Sequence, residues 1–218
     1  MKLNYLKNLT FLFVLTLAFS CNEKAKEAET NDAEAEAKAT EASVYYRVDA
    51  ENSSVAWTGF KPTGSHNGTI SVNAGKFSVK DGMIESGEFE IDMNSITVLD
   101  IPAEDEGNAK LVGHLKDADF FDVATYPNAS FSVTGMKTDG EKTLLSGNLT
   151  MKDATNNITI PVTMTDNGDE VMLKSDAFTI DRSKWNVKYN SESFFENLGD
   201  KVISDDIELI IDVKAVKA

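Results

Sequence analysis

The residues of this chain that could do chemistry are few and far apart. Among 218 residues there are two histidines, His66 and His114, and one cysteine, Cys21. A metal centre needs several ligands at spacings that one strand or helix can converge, and neither histidine has another His or Cys at such a distance. Acidic clusters at 104–106 and 165–170 have the charge of a calcium loop. They lack its alternating oxygen ligands and its closing Glu, so turn and helix-cap roles fit them better. No Gly-x-Ser-x-Gly elbow and no glycine-rich phosphate loop occurs. With no nucleophile or acid/base pair assembled, neither a catalytic residue, a metal nor a required cofactor is expected, and the chain does not read as an enzyme.

Cys21 does carry a chemical expectation. It follows Met1-Lys-Leu-Asn-Tyr-Leu-Lys and an apolar run from Leu9 to Phe19. Two lysines, a short apolar core and small residues before the cut describe a secretory signal, and the run is too short to span a bilayer. Residues 1–21 are therefore expected to be a lipoprotein signal, with Cys21 as the lipidated residue. Residues 22–43 contain seven acids, three lysines and no aromatic. Such a segment buries too little to offset its ordering entropy and is expected to be a disordered acidic tether. The net charge is −15, of which −13 falls on residues 44–218. A surface that acidic repels nucleic acid and anionic headgroups.

Residues 44–218 are enough for one domain with a sizeable core. Period-two alternation dominates. It marks strands at 45–49, 54–58, 69–72, 75–79 and 87–99, then 129–136, 143–151, 158–164, 171–180 and 207–213. Asp81-Gly82, Asp139-Gly140 and Asn167-Gly168 are hairpin or turn dipeptides. In the strand at 87–99 a bulge near Asn94-Ser95 would realign Ile96 and Val98 with Phe89, Ile91 and Met93. Gly59, Pro62, Gly64 and Gly68 mark a loop, and Pro161 an edge or bulge. Residues 104–123 change period: Glu104, Asp105 and Glu106 suit the first turn of a helix, and Gly113 keeps it short. Ser193 to Glu196 has capping-box spacing, which predicts one helical turn stopped at Gly199.

This order predicts an all-β, extended antiparallel barrel of about eight strands with a short helical insertion, since closure removes the edges of such a sheet. A two-sheet sandwich is the other architecture. Phe77, Phe89, Met93, Phe131, Leu149, Met151, Ile160 and Phe178 face inward. They either fill the interior or line an apolar cavity, and the pattern serves both. Trp57 and Trp185 are open to the same two readings.

The stretch His114-Leu-Lys-x-Ala-Asp-Phe-Phe, followed by Tyr126-Pro-x-Ala-x-Phe131, resembles the central signature of the YceI-like family of lipid- and polyisoprenoid-binding proteins. Ser54-x-Val-x-Trp-Thr-Gly, Asn94-Ser-Ile-Thr-Val, Gly147-x-Leu-Thr-Met, Ile158-Thr-Ile-Pro-Val and Phe178-x-Ile-Asp-Arg-x-x-Trp are similar to its other strands. The resemblance spans residues 44–215. It implies a lipocalin-like barrel whose bore holds a polyisoprenoid, an isoprenoid quinone or a similar lipid. On that basis Trp57, Ile91, Phe120, Phe121 and Trp185 join the eight inward residues above as the expected bore. Members often carry a histidine where Lys61 stands here, and the loop Pro62–Gly68 differs. The expectation is a membrane-anchored binding protein, not an enzyme. It would sit in the bacterial envelope facing periplasm or exterior, with a homodimer compatible. A filled barrel serving as a structural or protein-interaction module is the alternative.

Overall fold

The computed structural model describes residues 25–218. The signal segment and Cys21 lie outside the described residues. Twelve strands and one helix follow in order: β1 Lys26–Glu27, β2 Glu29–Asp32, β3 Val44–Val48, β4 Ser54–Lys61, β5 Gly64–Lys80 and β6 Met83–Asp92; then α1 Glu106–Lys116; then β7 Asn128–Asp139, β8 Lys142–Met151, β9 Ala154–Asp166, β10 Glu170–Ser175, β11 Phe178–Asp181 and β12 Asp206–Lys217. No described helix is long and apolar enough to cross a membrane.

Eight rungs close the barrel. β3 and β4 act as one broken strand, as do β10 and β11. The ring runs β3/β4, β5, β6, β7, β8, β9, β10/β11 and β12, and returns from β12 to β4 and β3. Its neighbouring strands are antiparallel. The tight turns follow from local chemistry. Asp81 and Gly82 both take positive φ, as a two-residue hairpin requires, and Lys152 with φ of 52° plays the same part between β8 and β9. Inward positions of β8, Leu145 and Leu149, alternate with outward Ser146, Asn148 and Thr150.

Residues 25–43 are not a disordered tether. They form an extended strap against the barrel wall. β1 runs parallel to β11, with Lys26 opposite Phe178, and β2 runs antiparallel to β9, with Thr30 opposite Ile158. The strap thus fills a seam between β9 and β11, strands that do not pair directly. Farther on it bridges a second seam. β6 and β7 stop pairing beyond Glu88 and Ser132, and a bulge follows Val133. Ala37 N–H donates to the Val133 carbonyl at 2.9 Å, and Thr40 N–H to the Glu85 carboxylate at 2.8 Å. Composition correctly shows that the strap has no apolar stripe. Its order comes from backbone groups that meet unpaired strand edges, a gain no side-chain pattern displays.

Three local expectations change for related reasons. The loop at 59–68 is a two-residue turn at Pro62-Thr63, with Gly59 and Gly68 inside paired strands. At Gly68 a Cβ would lie 1.8 Å from the Thr97 carbonyl oxygen, so glycine marks a close approach. The strand at 87–99 breaks at a 3-10 turn, Met93–Ser95, rather than a bulge, and Thr97 and Leu99 N–H groups then bond to Thr69 and Asn67 carbonyls of β5. No helix forms at Ser193, whose hydroxyl donates to Asp205 at 2.6 Å; the 3-10 turn starts later, at Gly199. Pro161 lies in β9 between the stretch paired with β2 and the stretch paired with β10.

The strap is held by two outward-facing asparagines that it buries. Asn148 Oδ1 accepts from Glu34 N–H at 3.0 Å, and its Nδ2 donates to the Glu34 carbonyl at 2.7 Å. Asn157 Nδ2 donates to both Asn148 Oδ1 and Thr134 Oγ1. Replacing Asn148 with Ala leaves Glu34 and Asn157 short of partners and should cost about 1–3 kcal/mol. Amide exchange at Glu34 and Ala37 should accelerate well before β8 and β9 open, which hydrogen-exchange mass spectrometry would resolve.

Candidate functional site

The interior is divided. One end of the barrel is packed solid by a run of aromatic rings: Tyr46 stacks on Phe77 at 5.7 Å, Phe77 on Phe89 at 5.6 Å, and Phe89 leans on Phe131 at 6.4 Å. The single Tyr46 hydroxyl proton is shared between Asp166 Oδ1 at 3.2 Å and the Gly168 carbonyl at 3.3 Å. Toward the helical corner the packing opens into a chamber of about 140 Å³. A second void of about 50 Å³ lies beyond it, and both share Val55, Ile91, Phe131 and Ile211 as wall. Those four side chains form the neck between chamber and packed end. Phe131 can lie across the barrel there because its partner strand offers Gly147, where a Cβ would sit 2.3 Å from the Phe131 Cζ.

The helical corner closes the chamber. Asp105 caps α1 by accepting from Gly107 N–H at 2.7 Å, so the acidic cluster at 104–106 serves as a helix start. Past the helix, Leu115, Phe120 and Phe121 turn into the chamber wall, with the two phenyl rings edge to face at 4.9 Å. Lys152 Nζ ties this corner to the β8–β9 turn through the Phe120 carbonyl at 2.9 Å. His114 packs edge-on against Tyr189 at 4.7 Å. His66, outside the chamber, pairs with Asp100 at 2.8 Å. Partial burial raises the Asp100 pKa, but the Asn67 N–H and His66 outweigh it, leaving the group below the ordinary carboxylate range. Among the described residues no group of three or more His, Cys, Asp or Glu side chains is placed to hold a metal.

Arg182 is the charged residue of the chamber wall and is fully buried. Its Nε donates to the Ser204 carbonyl at 3.0 Å, Nη1 to Val187 at 2.6 Å, and Nη2 to Tyr189 and Ile203, both at 2.9 Å. Both Nη2 hydrogens are thereby committed. Asp205 Oδ1, 3.4 Å from Nη2, is an ion-pair partner without a hydrogen bond of its own. Burial lowers the guanidinium's pKa from its ordinary value, opposed by Asp205 and Asp181. The guanidinium also lies over the Phe120 ring at 5.5 Å, joining the 186–205 segment to the helical corner.

Residues 46–215 match the family described as the YceI-like domain. The chain belongs to that family. The YceI proteins of Salmonella arizonae and Salmonella newport are each 28% identical to it over 144 residues, covering 66% of this chain and 73% of theirs. Burkholderia cenocepacia BcnA superposes with a TM-score of 0.61 at 22% identity, over 78% of this chain and 99% of BcnA. A polyisoprenoid binding domain from Saccharophagus degradans gives 0.57 at 18% identity, over 80% and 99%. At those identities the superpositions establish the lipocalin-like barrel.

Within this YceI-like barrel the thirteen expected bore residues separate into three groups. Trp57, Met93, Phe120, Phe121, Leu149, Met151 and Phe178 line the chamber, and Ile91 and Phe131 line both voids. Phe89 and Ile160 border the smaller void. Phe77 and Trp185 line neither. Phe77 is sandwiched in the aromatic stack, and Trp185 sits behind the wall with its Nε1–H bonded to the Leu149 carbonyl at 2.8 Å. The unforeseen wall residues include Ile207, Leu209 and Ile211 of β12, whose alternation was visible, and Val55 and Ile70. Arg182 stands in the Phe178-x-Ile-Asp-Arg-x-x-Trp motif, but its place in the chamber wall appears only where four carbonyls converge on it.

That convergence makes a sharp stability prediction. Arg182→Met keeps most of the volume but strands four carbonyls and the Asp205 charge. The loss should be about 3–5 kcal/mol, read as a lower denaturation midpoint at unchanged denaturant slope.

Proposed function

We propose that this chain is a non-enzymatic carrier that holds a long apolar chain, such as a polyisoprenoid or isoprenoid quinone, and sequesters or transfers it beside a membrane. The observation that carries this reading is the chamber: about 140 Å³ of space lined, among the described residues, by apolar side chains apart from Trp57, Arg182 and Ser204. Cavities of about 150 Å³ in other proteins stay dry and admit a benzene-sized guest. The chamber therefore takes the leading segment of an apolar chain. Rotation of Phe131 and Ile91 at the neck, and of the flexible Met93 and Met151 in the wall, would lengthen the site. Each buried CH₂ contributes about 0.8 kcal/mol before ordering costs. The Saccharophagus domain, described as polyisoprenoid binding, supports the same ligand class.

Organic extraction and native mass spectrometry of protein purified from membranes test this reading. The expected result is a co-purifying apolar lipid, whose occupancy falls several-fold in Leu209→Phe, a chamber-filling change. Repeated isolation without lipid, together with no uptake of added polyisoprenoid, would return the barrel to a structural or interaction role.

The reading includes a lipid anchor at Cys21, which would place the barrel at the bacterial envelope facing periplasm or exterior. Cys21→Ser should move the protein from the membrane fraction to the soluble fraction. Retention of that variant on membranes rules the anchor out.

A further inference from the structure

The strap sets how far the barrel can stand from an anchor. Lys26 of β1 lies opposite Phe178 of β11, and Phe178 lies opposite Leu209 of β12. Along β12, Leu209 is three residues from Asp206, where the strand begins at the chamber end. It is eight residues from Lys217, whose N–H bonds to the Asp169 carbonyl at the packed end. At the rise of a strand these are roughly 10 Å and 26 Å. Cys21 precedes Lys26 by five residues, which span at most about 18 Å when fully extended. A membrane plane fixed at Cys21 is therefore within reach of the chamber end and out of reach of the packed end. A free tether over 22–43 would impose no such limit.

The chamber end carries a feature that the chamber does not use. Segment 186–205 covers it: Ile203 and Ser204 line the chamber, and Tyr189 packs on His114. One tight turn projects from that cover. Ser191 is fully buried and its carbonyl accepts from the Phe194 and Phe195 N–H groups, while the Ser193 hydroxyl ties the turn to Asp205. The two phenyl side chains are left in water, Phe194 at 49% and Phe195 at 51% exposure. Every other phenylalanine among the described residues is buried or half-buried. Single apolar residues scattered over a surface are ordinary, but adjacent phenyls on a projecting turn are what an interfacial segment offers to lipid. The charges around the pair are mixed. Lys188 Nζ lies over the Phe194 ring at 4.6 Å, and Lys201, Glu192, Glu196 and Asp200 are exposed nearby in the chain. Both signs together suit a zwitterionic headgroup, whereas a net anionic surface repels so acidic a barrel.

We propose that Phe194 and Phe195 dock the chamber end of the barrel on a bilayer of zwitterionic phospholipid. Their rings enter the boundary between headgroups and acyl chains, and the strap holds the barrel close enough for them to do so. Segment 186–205 then lies between bilayer and chamber, so an apolar chain passes from one to the other without crossing water. This inference rests on the carrier reading and its anchor, and adds the orientation in which the carrier works.

Lipidated full-length protein in vesicles of phosphatidylethanolamine and phosphatidylcholine is compared with the soluble Cys21→Ser chain by hydrogen-exchange mass spectrometry. Amides of 192–197 should exchange several-fold more slowly on vesicles, and those of the turns at 139–140 and 167–168 should not change. The double variant Phe194→Ser/Phe195→Ser alters exposed side chains alone. It should abolish that slowing and reduce the rate of polyprenol uptake from the vesicles about tenfold, with the amount of polyprenol bound at equilibrium from detergent unchanged. Slowing at 167–168 instead, or at neither end with equal uptake rates, overturns the docking and leaves the carrier reading standing. Slowing at 192–197 that needs no vesicles and grows with protein concentration assigns the pair to a second copy of the chain and also overturns it. Failure to bind polyprenol from detergent overturns the carrier reading instead, because exchange at 192–197 still reports the docking.

Discussion

Every strand edge in this molecule has to find a partner, and the architecture follows from how that is achieved. An unpaired row of backbone donors and acceptors is both costly when buried and a template for aggregation when exposed. Eight rungs close most of the circumference, yet a barrel with a broken strand at β10/β11 and a splayed β6–β7 pair cannot close everywhere by itself. The chain supplies the missing edges from outside the meander. Residues 26–32 fill the gap between β9 and β11, and Thr97 and Leu99 extend the sheet along β5 where β6 has already turned away. The strap therefore belongs to the wall, and Phe178, Ile180 and Ile158, on the strands it joins, face the chamber.

Closure of the wall leaves the question of what fills the inside, and the two ends answer it differently. At one end the rings of Tyr46, Phe77 and Phe89 stack in series and fill the interior. At the other, aliphatic strand residues are too short to meet across the bore, and the aromatic corner at Phe120 and Phe121 roofs the gap without filling it. Arg182 holds that roof. A guanidinium is the one side chain that can satisfy four diverging carbonyls from the irregular 186–205 segment while its flat face covers an aromatic ring. The charge thus organises backbone, and the chamber stays apolar despite it.

The candidate site was partly legible for a simple reason. Inward positions of a barrel follow from alternation, so Met93, Phe131, Leu149, Met151 and Phe178 fall on the wall where period two puts them. Alternation cannot say how deep along the axis a side chain sits. That is why Phe77, equally inward, belongs to the packed end, and why Trp185 ends up behind the wall. Short aliphatics such as Ile207 and Leu209 attract less notice than aromatics, yet their small size is what leaves the chamber empty.

What the amino-acid order determined by itself is local: strand alternation, the Asp-Gly turns, the helical insertion with its acidic start, and the family signature from His114 to Phe131. These rest on interactions between residues close in the chain, or on a period that any inward-facing strand must obey. Tertiary structure alone decided the rest. It made residues 25–43 a strap, turned the loop at 59–68 into paired strands, buried Arg182, and left the Trp57 N–H without a partner. The strap meets strands more than a hundred residues away, and Arg182 gathers carbonyls both from Val187 and Tyr189 nearby and from Ile203 and Ser204 about twenty residues on. Such encounters are fixed only when the barrel closes.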